Sequence, residues 1–407
     1  MRIRLLEVAA RAEAMARTRW LRAALVLLVT LYAVLHVSRG MGDFKTYQRA
    51  AKRAVAGQPI YRLEDPHRYL YAPVVTFLFF PLAVLPTWAG KALWLALNAA
   101  LLVSIFRTAA RLLFREGRAP PGFQALVLLL SFRFIDNNLG HGQLNIVLLW
   151  LVLYAYEETS RSRHALAGLA LAAAIAAKIV PAVFLMEILL RRRWRFLVWT
   201  IAAFVALMVI PAVWWGAAYP QVFRDWLAVV ADQTGHYDMA NKINQSISAF
   251  VYRLLRPYPE GSPVFILSEE AVTAVTVLIH AAFIASLVRI SVRNARGGAA
   301  TVNGVSGDEL SLYLLYSTVA APYSWKYYFV NLIFPLGAAA TRLWAGRRDF
   351  EIGLWAVFLL NLLAGLELLG RRLSTLFQFW SFHFLAATVL FVLIARERSR
   401  PDAPTEC

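Results

Sequence analysis

The stretch FLVWTIAAFVALMVIPAVW, residues 196–214, decides the fold: nineteen consecutive residues carry no charged side chain. As a helix they would extend about 29 Å, the thickness of a bilayer's hydrocarbon core. Arg191, Arg192, Arg193 and Arg195 stand immediately before them, a basic cluster of the kind that marks the cytoplasmic end of a membrane span. The same pairing recurs in both directions along the chain. Near-continuous apolar runs cover residues 20–37, 88–106, 123–135, 146–156, 271–288, 310–321, 329–343, 354–369 and 377–394. The expected architecture is all-α, a polytopic transmembrane protein of about 10–13 membrane helices, forming a single membrane domain over 1–407.

Composition points the same way. Hydrophobic residues make up 60% of the chain and charged residues 16%, against about 25% charged in soluble domains. A net charge of +18 would suggest nucleic acid in a soluble protein. Here the Lys and Arg residues flank apolar runs, so the bilayer is the expected partner and nucleic acid is not. The single cysteine, Cys407, excludes an intrachain disulfide and a cysteine-based metal cluster. The first apolar run is too long and too poor in small residues for a cleaved signal peptide, so it reads as a retained first helix.

The basic loops set the expected topology. Arg2, Arg4, Arg11, Arg17 and Arg19 place residues 1–19 in the cytoplasm, and Arg396, Arg398 and Arg400 place the tail, 396–407, there too. Arg107 to Arg118, Arg161 with Arg163, Arg191 to Arg195, Arg289 to Arg296 and Arg347 with Arg348 mark the cytoplasmic loops between them. The segments left outside are roughly 40–87, 132–143, 215–270 and 322–328, and the two long ones are where function is expected. Segment 165–190 does not read as a simple crossing, because Lys178 and Pro181 interrupt it. It reads as two short helices meeting at membrane depth, where irregular backbone survives only against protein or a wet cavity.

Polar residues in these outward segments are the candidates for chemistry. Between Asp43 and Val55, Phe44, Tyr47, Ala51 and Ala54 fall on one helical face and Lys45, Arg49, Lys52 and Arg53 on another. That is the pattern of a helix lying in the membrane interface. Its basic face stands on the side where positive charge is sparse, which either an anionic lipid phosphate or the bulk headgroups would explain. Asp43, at the start of this helix, is either a helix cap or a general base. Lys178 is the one lysine inside an apolar segment, where insertion of a charge costs about 2.5–3.5 kcal/mol. It needs a partner, and Glu187 is the nearest acid in sequence. His141, Gln143 and Asn145 sit around Gly140 and Gly142, where they either bind sugar hydroxyls or cap helix ends about a tight turn. Asn244 and Gln245 are open to the same two readings. Tyr61, Tyr71, Trp214, Trp215, Trp325 and Tyr327 suit either sugar stacking or an interfacial aromatic belt. Asp225, Asp232, His236 and Asp238 share one loop without a recognisable ligand spacing, so no metal or other cofactor is expected and a divalent cation keeps low weight.

With these residues in view the chain resembles glycosyltransferase family 87, of the C-type superfamily of membrane enzymes that use polyprenyl-phosphate sugars. The likeness runs from residue 42 to about 345. It begins with Gly42-Asp43-Phe44, Tyr47 and the AGQPIY stretch 56–61, continues through Tyr71-Ala72-Pro73, PLAVLP (81–86), Leu93-Trp94 and Asn98, and then NLGHGQLN (138–145). AKIVP (177–181), Asn244-Gln245-Ser246 and PYSWKYY (322–328) complete it in the family's order. Two departures stand out: Tyr71-Ala72-Pro73 has one proline where the family usually has two, and Lys326-Tyr327-Tyr328 follows Trp325 in place of the family's aromatic or His residues.

The resemblance implies transfer of a hexose, mannose first, from a polyprenyl-phosphate-linked donor to an acceptor hydroxyl on a glycan or glycolipid. Transfer would occur at the outer face of the plasma (inner) membrane, with inversion, in a monomer whose termini are both cytoplasmic. It implies Asp43 as the base, Lys178, Arg49 and Lys326 as cations for the donor phosphate, and Tyr47, His141, Gln143, Asn145, Asn244 and Gln245 as substrate contacts. The alternative is a polytopic transporter or lipid flippase, which also uses broken helices and midplane charges, though the chain shows no repeated halves.

Overall fold

The computed structural model describes residues 27, 30–38, 40–114, 116–236, 239–257, 263–296, 304–364 and 366–399. The arginine-rich segment 1–19 and the end of the tail, 400–407, lie outside the described residues. After a helical stretch at 30–38, the chain forms α1 (Gly42–Val55), α2 (Thr87–Leu113), α3 (Phe123–His141), α4 (Asn145–Ser160) and α5 (His164–Ala177). It continues through α6 (Phe184–Leu190), α7 (Trp194–Val209), α8 (Tyr219–His236), α9 (Ile247–Leu255) and α10 (Glu269–Ala295). The last five are α11 (Gly307–Ala320), α12 (Ile333–Trp344), α13 (Arg348–Leu363), α14 (Leu366–Phe379) and α15 (Phe382–Ser399). Short 3-10 turns at Pro73–Phe79, Val180–Val183 and Lys326–Leu332 precede helices.

Local sequence explains many of the boundaries. Ser246, Ser268 and Ser306 each accept a hydrogen bond from the amide three residues on, opening α9, α10 and α11. Glu269 with Glu270, and Asp308 with Glu309, add negative charge to the first turns of the last two. Lys178 ends α5 in extended backbone, and Pro181 stands in the first turn of the 3-10 segment that leads into α6. The segment 165–190 is thus two short helices joined at Lys178.

Among the described residues, Thr87–Leu113, Trp194–Gln233 and Glu269–Ala295 are each long and apolar enough to cross a membrane. Their most apolar stretches are only 28%, 17% and 17% buried within the protein. Soluble helices this apolar would be covered by neighbours, so the uncovered surface is for lipid. The pair α3 and α4, bent by 120°, and the pair 372–379 and 382–397, bent by 47°, are further apolar stretches long enough to span when taken together. The protein is a polytopic integral membrane protein.

The basic loops converge at one end of the bundle. Arg111 and Arg161 both meet Glu157, at 2.5 and 2.6 Å, and Arg161 also meets Glu158 at 2.7 Å. Arg193 reaches Glu187 at 3.4 Å and donates to the Gly304 carbonyl at 3.0 Å. Arg342 binds Asp308 at 2.6 Å, and Arg347 binds Glu397 and Asp349. Of these, Arg111 with Glu157, Arg193 with Gly304, Arg342 with Asp308 and Arg347 with Glu397 join segments far apart in sequence. At the other end, α1, the segment 60–85 and the start of α2 build a small core of their own from Phe44, Tyr47, Tyr61, Tyr69, Phe79 and Trp94. Helix α4 runs between the two ends, and Asn145 lies about 18 Å along it from Glu157.

Candidate active site

Glycines bring α1 against the tip between α3 and α4. Gly142 closes α3 with φ 71°, and a Cβ there would meet Phe44 Cβ at 2.8 Å and Met41 Cβ at 3.2 Å. Only glycine satisfies both the left-handed backbone and the close approach. The Met41 amide donates to the Gly140 carbonyl at 2.7 Å, and the Trp94 indole donates to the Gly142 carbonyl at 3.1 Å. On its far side α1 is pinned by Gln48, whose amide donates to the Leu82 and Leu85 carbonyls at 2.9 and 3.1 Å within the PLAVLP segment.

This docking sets Asp43 beside Gln143. Gln143 Nε2 donates to Asp43 Oδ2 at 2.6 Å, and Tyr47 donates to Gln143 Oε1 at 3.1 Å. Tyr71 lies 3.0 Å from the Tyr47 hydroxyl and 3.4 Å from Gln143 Oε1. A carboxylate only accepts, and Tyr47 feeds the amide oxygen, so the Gln143 amide has one orientation. Gln143 is 5% exposed while Asp43 is partly open. Among the described residues Asp43 Oδ1 has no hydrogen-bond partner.

Lys178 lies nearby. Its ammonium donates to Asn145 Oδ1 at 3.1 Å and stands 3.5 Å above the centre of the Tyr328 ring. Asp43 is the carboxylate whose charge acts on it. Asn145 is 2% exposed, and its Nδ2 has no partner among the described residues. A buried amide donor left open costs about 1–3 kcal/mol, which marks it as a place where a ligand acceptor atom would be welcome. Asn145, Lys178, Pro181, Ser317, Tyr328 and Asn331 line a small cavity of about 20 Å³ here.

Two sequence expectations change. Glu187 is not the partner of Lys178: it accepts from Tyr156 at 2.8 Å and faces Arg193 and Arg191 at 3.4 and 4.0 Å. The break after Ala177 turns Lys178 away from α6 toward Asn145. Tyr61 is no belt residue, being 5% exposed and bonded through its hydroxyl to the Tyr71 carbonyl at 2.6 Å. Tyr71 belongs to the Asp43 cluster, and Trp214 is 51% exposed.

The remaining candidates separate into three places. His141 packs its ring 5.4 Å from Tyr327, with Asp43 and Lys326 both in electrostatic reach. Asn244 and Gln245 are fully buried and turned toward protein. Asn244 donates to the Pro322 carbonyl at 2.9 Å and accepts from the Ser324 amide at 2.9 Å. Gln245 donates to the Lys242 and Gln378 carbonyls at 2.7 and 2.8 Å, and its amide nitrogen on the main chain binds the Ser324 carbonyl at 2.7 Å. The Asn-Gln-Ser element therefore holds the loop that presents Lys326 and Tyr328. Arg49 is not brought to Lys178. It sits on the opposite face of α1, 3.7 Å from Asp65 and bonded to the His67 carbonyl.

Tyr328 belongs to the site although it is not among the binding residues expected from sequence; its signal there is the Lys326-Tyr327-Tyr328 departure. Of the acidic loop residues, Asp225 is bonded to Gln221 and Asp232 to Arg68, while Asp238 and the His236 side chain lie outside the described residues.

A partly open carboxylate, a lysine above an aromatic ring and an unfilled amide donor are set together at one end of a lipid-facing helical bundle, a polar site in a membrane protein. A family model described as glycosyltransferase family 87 matches residues 69–318, more than half of the chain, and the chain belongs to that family. Over 268 residues it is also 26% identical to a polyprenol-phosphate-mannose-dependent alpha-(1-2)-phosphatidylinositol pentamannoside mannosyltransferase of Mycolicibacterium smegmatis. That alignment covers 66% of this chain and 60% of the relative, so the chain spans less than two thirds of the relative's length. No solved structure matches. Gln143, Asn145, Lys178, Asn244 and Gln245 fall inside the family match, whereas Asp43, Tyr47, Lys326 and Tyr328 lie beyond its ends.

Proposed function

We propose that this protein is a membrane glycosyltransferase that takes a hexose, mannose first, from a polyprenyl-phosphate-linked donor and passes it to a hydroxyl of a glycan or glycolipid. The observation that carries the reading is that Asp43 and Lys178 are held at one tip by residues two apart in sequence, Gln143 and Asn145 respectively. Transfer requires a base at the acceptor and a cation at the leaving phosphate. The donor class follows the relative's printed name.

In this reading Asp43 Oδ1 removes the acceptor's proton as the acceptor oxygen bonds to the anomeric carbon. The bond from that carbon to the phosphate oxygen breaks on the opposite face, which inverts the centre. Lys178 meets the charge left on the phosphate, Asn145 Nδ2 supplies a hydrogen bond, and Lys326, on the same loop as Tyr328, adds a second positive charge. Gln143, itself held by Tyr47, keeps Asp43 oriented, and His141 flanks the acceptor side. The convergence of Arg111, Arg161, Arg193, Arg342 and Arg347 at the far end supports cytoplasmic loops there and an outward site here. A plasma-membrane location, cytoplasmic termini and a monomeric state belong to the same proposal. Purified protein in nanodiscs should transfer mannose from polyprenyl-phosphate-mannose to a glycolipid acceptor with inverted configuration. Absence of transfer with every polyprenyl-phosphate sugar would overturn the reading.

A further inference from the structure

The back of α1 carries a second charged feature that the transfer reaction does not use. Lys45, Arg49 and Lys52 follow one another at i, i+4 and i+7, roughly half a turn around the axis from Asp43 and Tyr47. With Arg53, Gln58 and Thr87 they line an open groove of about 530 Å³, within the ~300–1,000 Å³ range of small-ligand sites.

The groove's charge is only partly neutralised. Asp65 accepts two hydrogen bonds from Arg53, at 2.6 and 2.9 Å, and lies 3.7 Å from Arg49. Glu64 also acts on Arg53, and Arg62 adds positive charge beside Asp65. Lys45 and Lys52 are exposed, and among the described residues neither meets a carboxylate.

Position identifies the ligand. Thr87 lines the groove and is the first residue of α2, one of the helices apolar enough to span the bilayer. The adjoining Trp88 and Val84 are 67% and 78% exposed, as expected where apolar surface meets lipid and an indole lies at the headgroup level. The groove therefore adjoins surface suited to lipid, within reach of headgroup phosphates. We infer that the groove formed by Lys45, Arg49 and Lys52 is a binding site for the phosphate of an anionic membrane lipid, separate from the Lys178 site and on the opposite face of the same helix. The lipid phosphate bridges Lys45 and Lys52, Arg49 donates alongside them, and the acyl chains run down α2. This assignment does not depend on the transferase reading.

The test is native mass spectrometry of the purified full-length protein titrated with phosphatidylglycerol, phosphatidylcholine or inorganic phosphate. Wild type is expected to retain phosphatidylglycerol about tenfold more tightly than phosphatidylcholine, since each basic residue near a lipid surface contributes a several-fold gain. Lys45→Gln with Lys52→Gln is expected to lose that preference, Lys45→Arg with Lys52→Arg to keep it, and Asp43→Asn to leave it unchanged. Equal retention of the two lipids, an undiminished preference in the double glutamine variant, or a lost preference in the double arginine variant would overturn the proposal. Displacement of the lipid by millimolar inorganic phosphate would assign the groove to soluble anions and overturn it as well.

Discussion

Gln143 donates to Asp43 at 2.6 Å across a gap of a hundred residues in sequence, and the Tyr47 hydroxyl holds the other end of the same amide. The carboxylate is thereby aimed by a side chain that donates a hydrogen bond but does not titrate.

Removal of that aim should be visible in kinetics. Gln143→Ala is expected to lower kcat/KM on the order of a hundredfold, the loss typical of a misplaced catalytic group, with the donor KM little changed. Gln143→Glu sets a second carboxylate beside Asp43, which raises the pH at which the pair ionises. The acid limb of the pH–rate profile should move to higher pH in that variant, and an unmoved limb would separate Gln143 from Asp43.

Gly142 is required for its backbone and for its lack of a side chain. Gly142→Ala would hold a non-glycine residue at φ 71° with Cβ 2.8 Å from Phe44 Cβ. The expected loss is about 1–3 kcal/mol of stability, seen as a lowered Tm in detergent, with reduced transfer. Gly57, also at positive φ but with nothing within 4 Å, should tolerate alanine with the smaller, purely backbone part of that loss.

Lys178 should act on the donor. A charged hydrogen bond contributes about 1.5–3 kcal/mol, so Lys178→Gln is expected to raise the KM for the lipid-linked sugar about ten- to hundredfold. Tyr328→Leu removes the ring beneath the ammonium and should give a smaller rise in the same parameter. A change confined to the acceptor KM would contradict the assignment.

The loop beneath α1 should be acid-sensitive. Hydrogen bonds from Arg53 hold the Asp65 carboxyl below its usual range, with burial opposing and Arg49 assisting. A carboxyl depressed in the folded state stabilises at pH above its unfolded value, and that stabilisation disappears as pH falls through the folded one. Limited proteolysis of residues 56–72 should therefore accelerate as pH drops below the ordinary carboxylate range. Asp65→Asn should be cleaved readily at neutral pH and show little further dependence.

Much of the architecture was legible in the sequence because burial in lipid writes long apolar runs, and 196–214 shows one without interruption. The amphipathic helix after residue 42 was equally plain from its spacing. What periodicity could not give was which polar residues meet. Asn145 and Lys178 are separated by α4, a turn and α5, and Glu187 is closer to Lys178 in sequence, yet the extended backbone at Lys178 selects Asn145. Arg49 looked equivalent to Lys178 as a cation, but the α1 docking sends it to the other face. Asn244 and Gln245 have the composition of a binding motif and the hydrogen bonds of a brace. Such distinctions come from tertiary packing, which a single sequence does not display.

The most direct test of the account is mannose transfer from polyprenyl-phosphate-mannose by purified wild type and by Asp43→Asn, which keeps the side chain's shape and removes its basicity. The account predicts a folded variant of unchanged Tm and donor binding whose turnover falls by roughly 10²–10⁴-fold. Turnover within a few-fold of wild type would contradict Asp43 as the base.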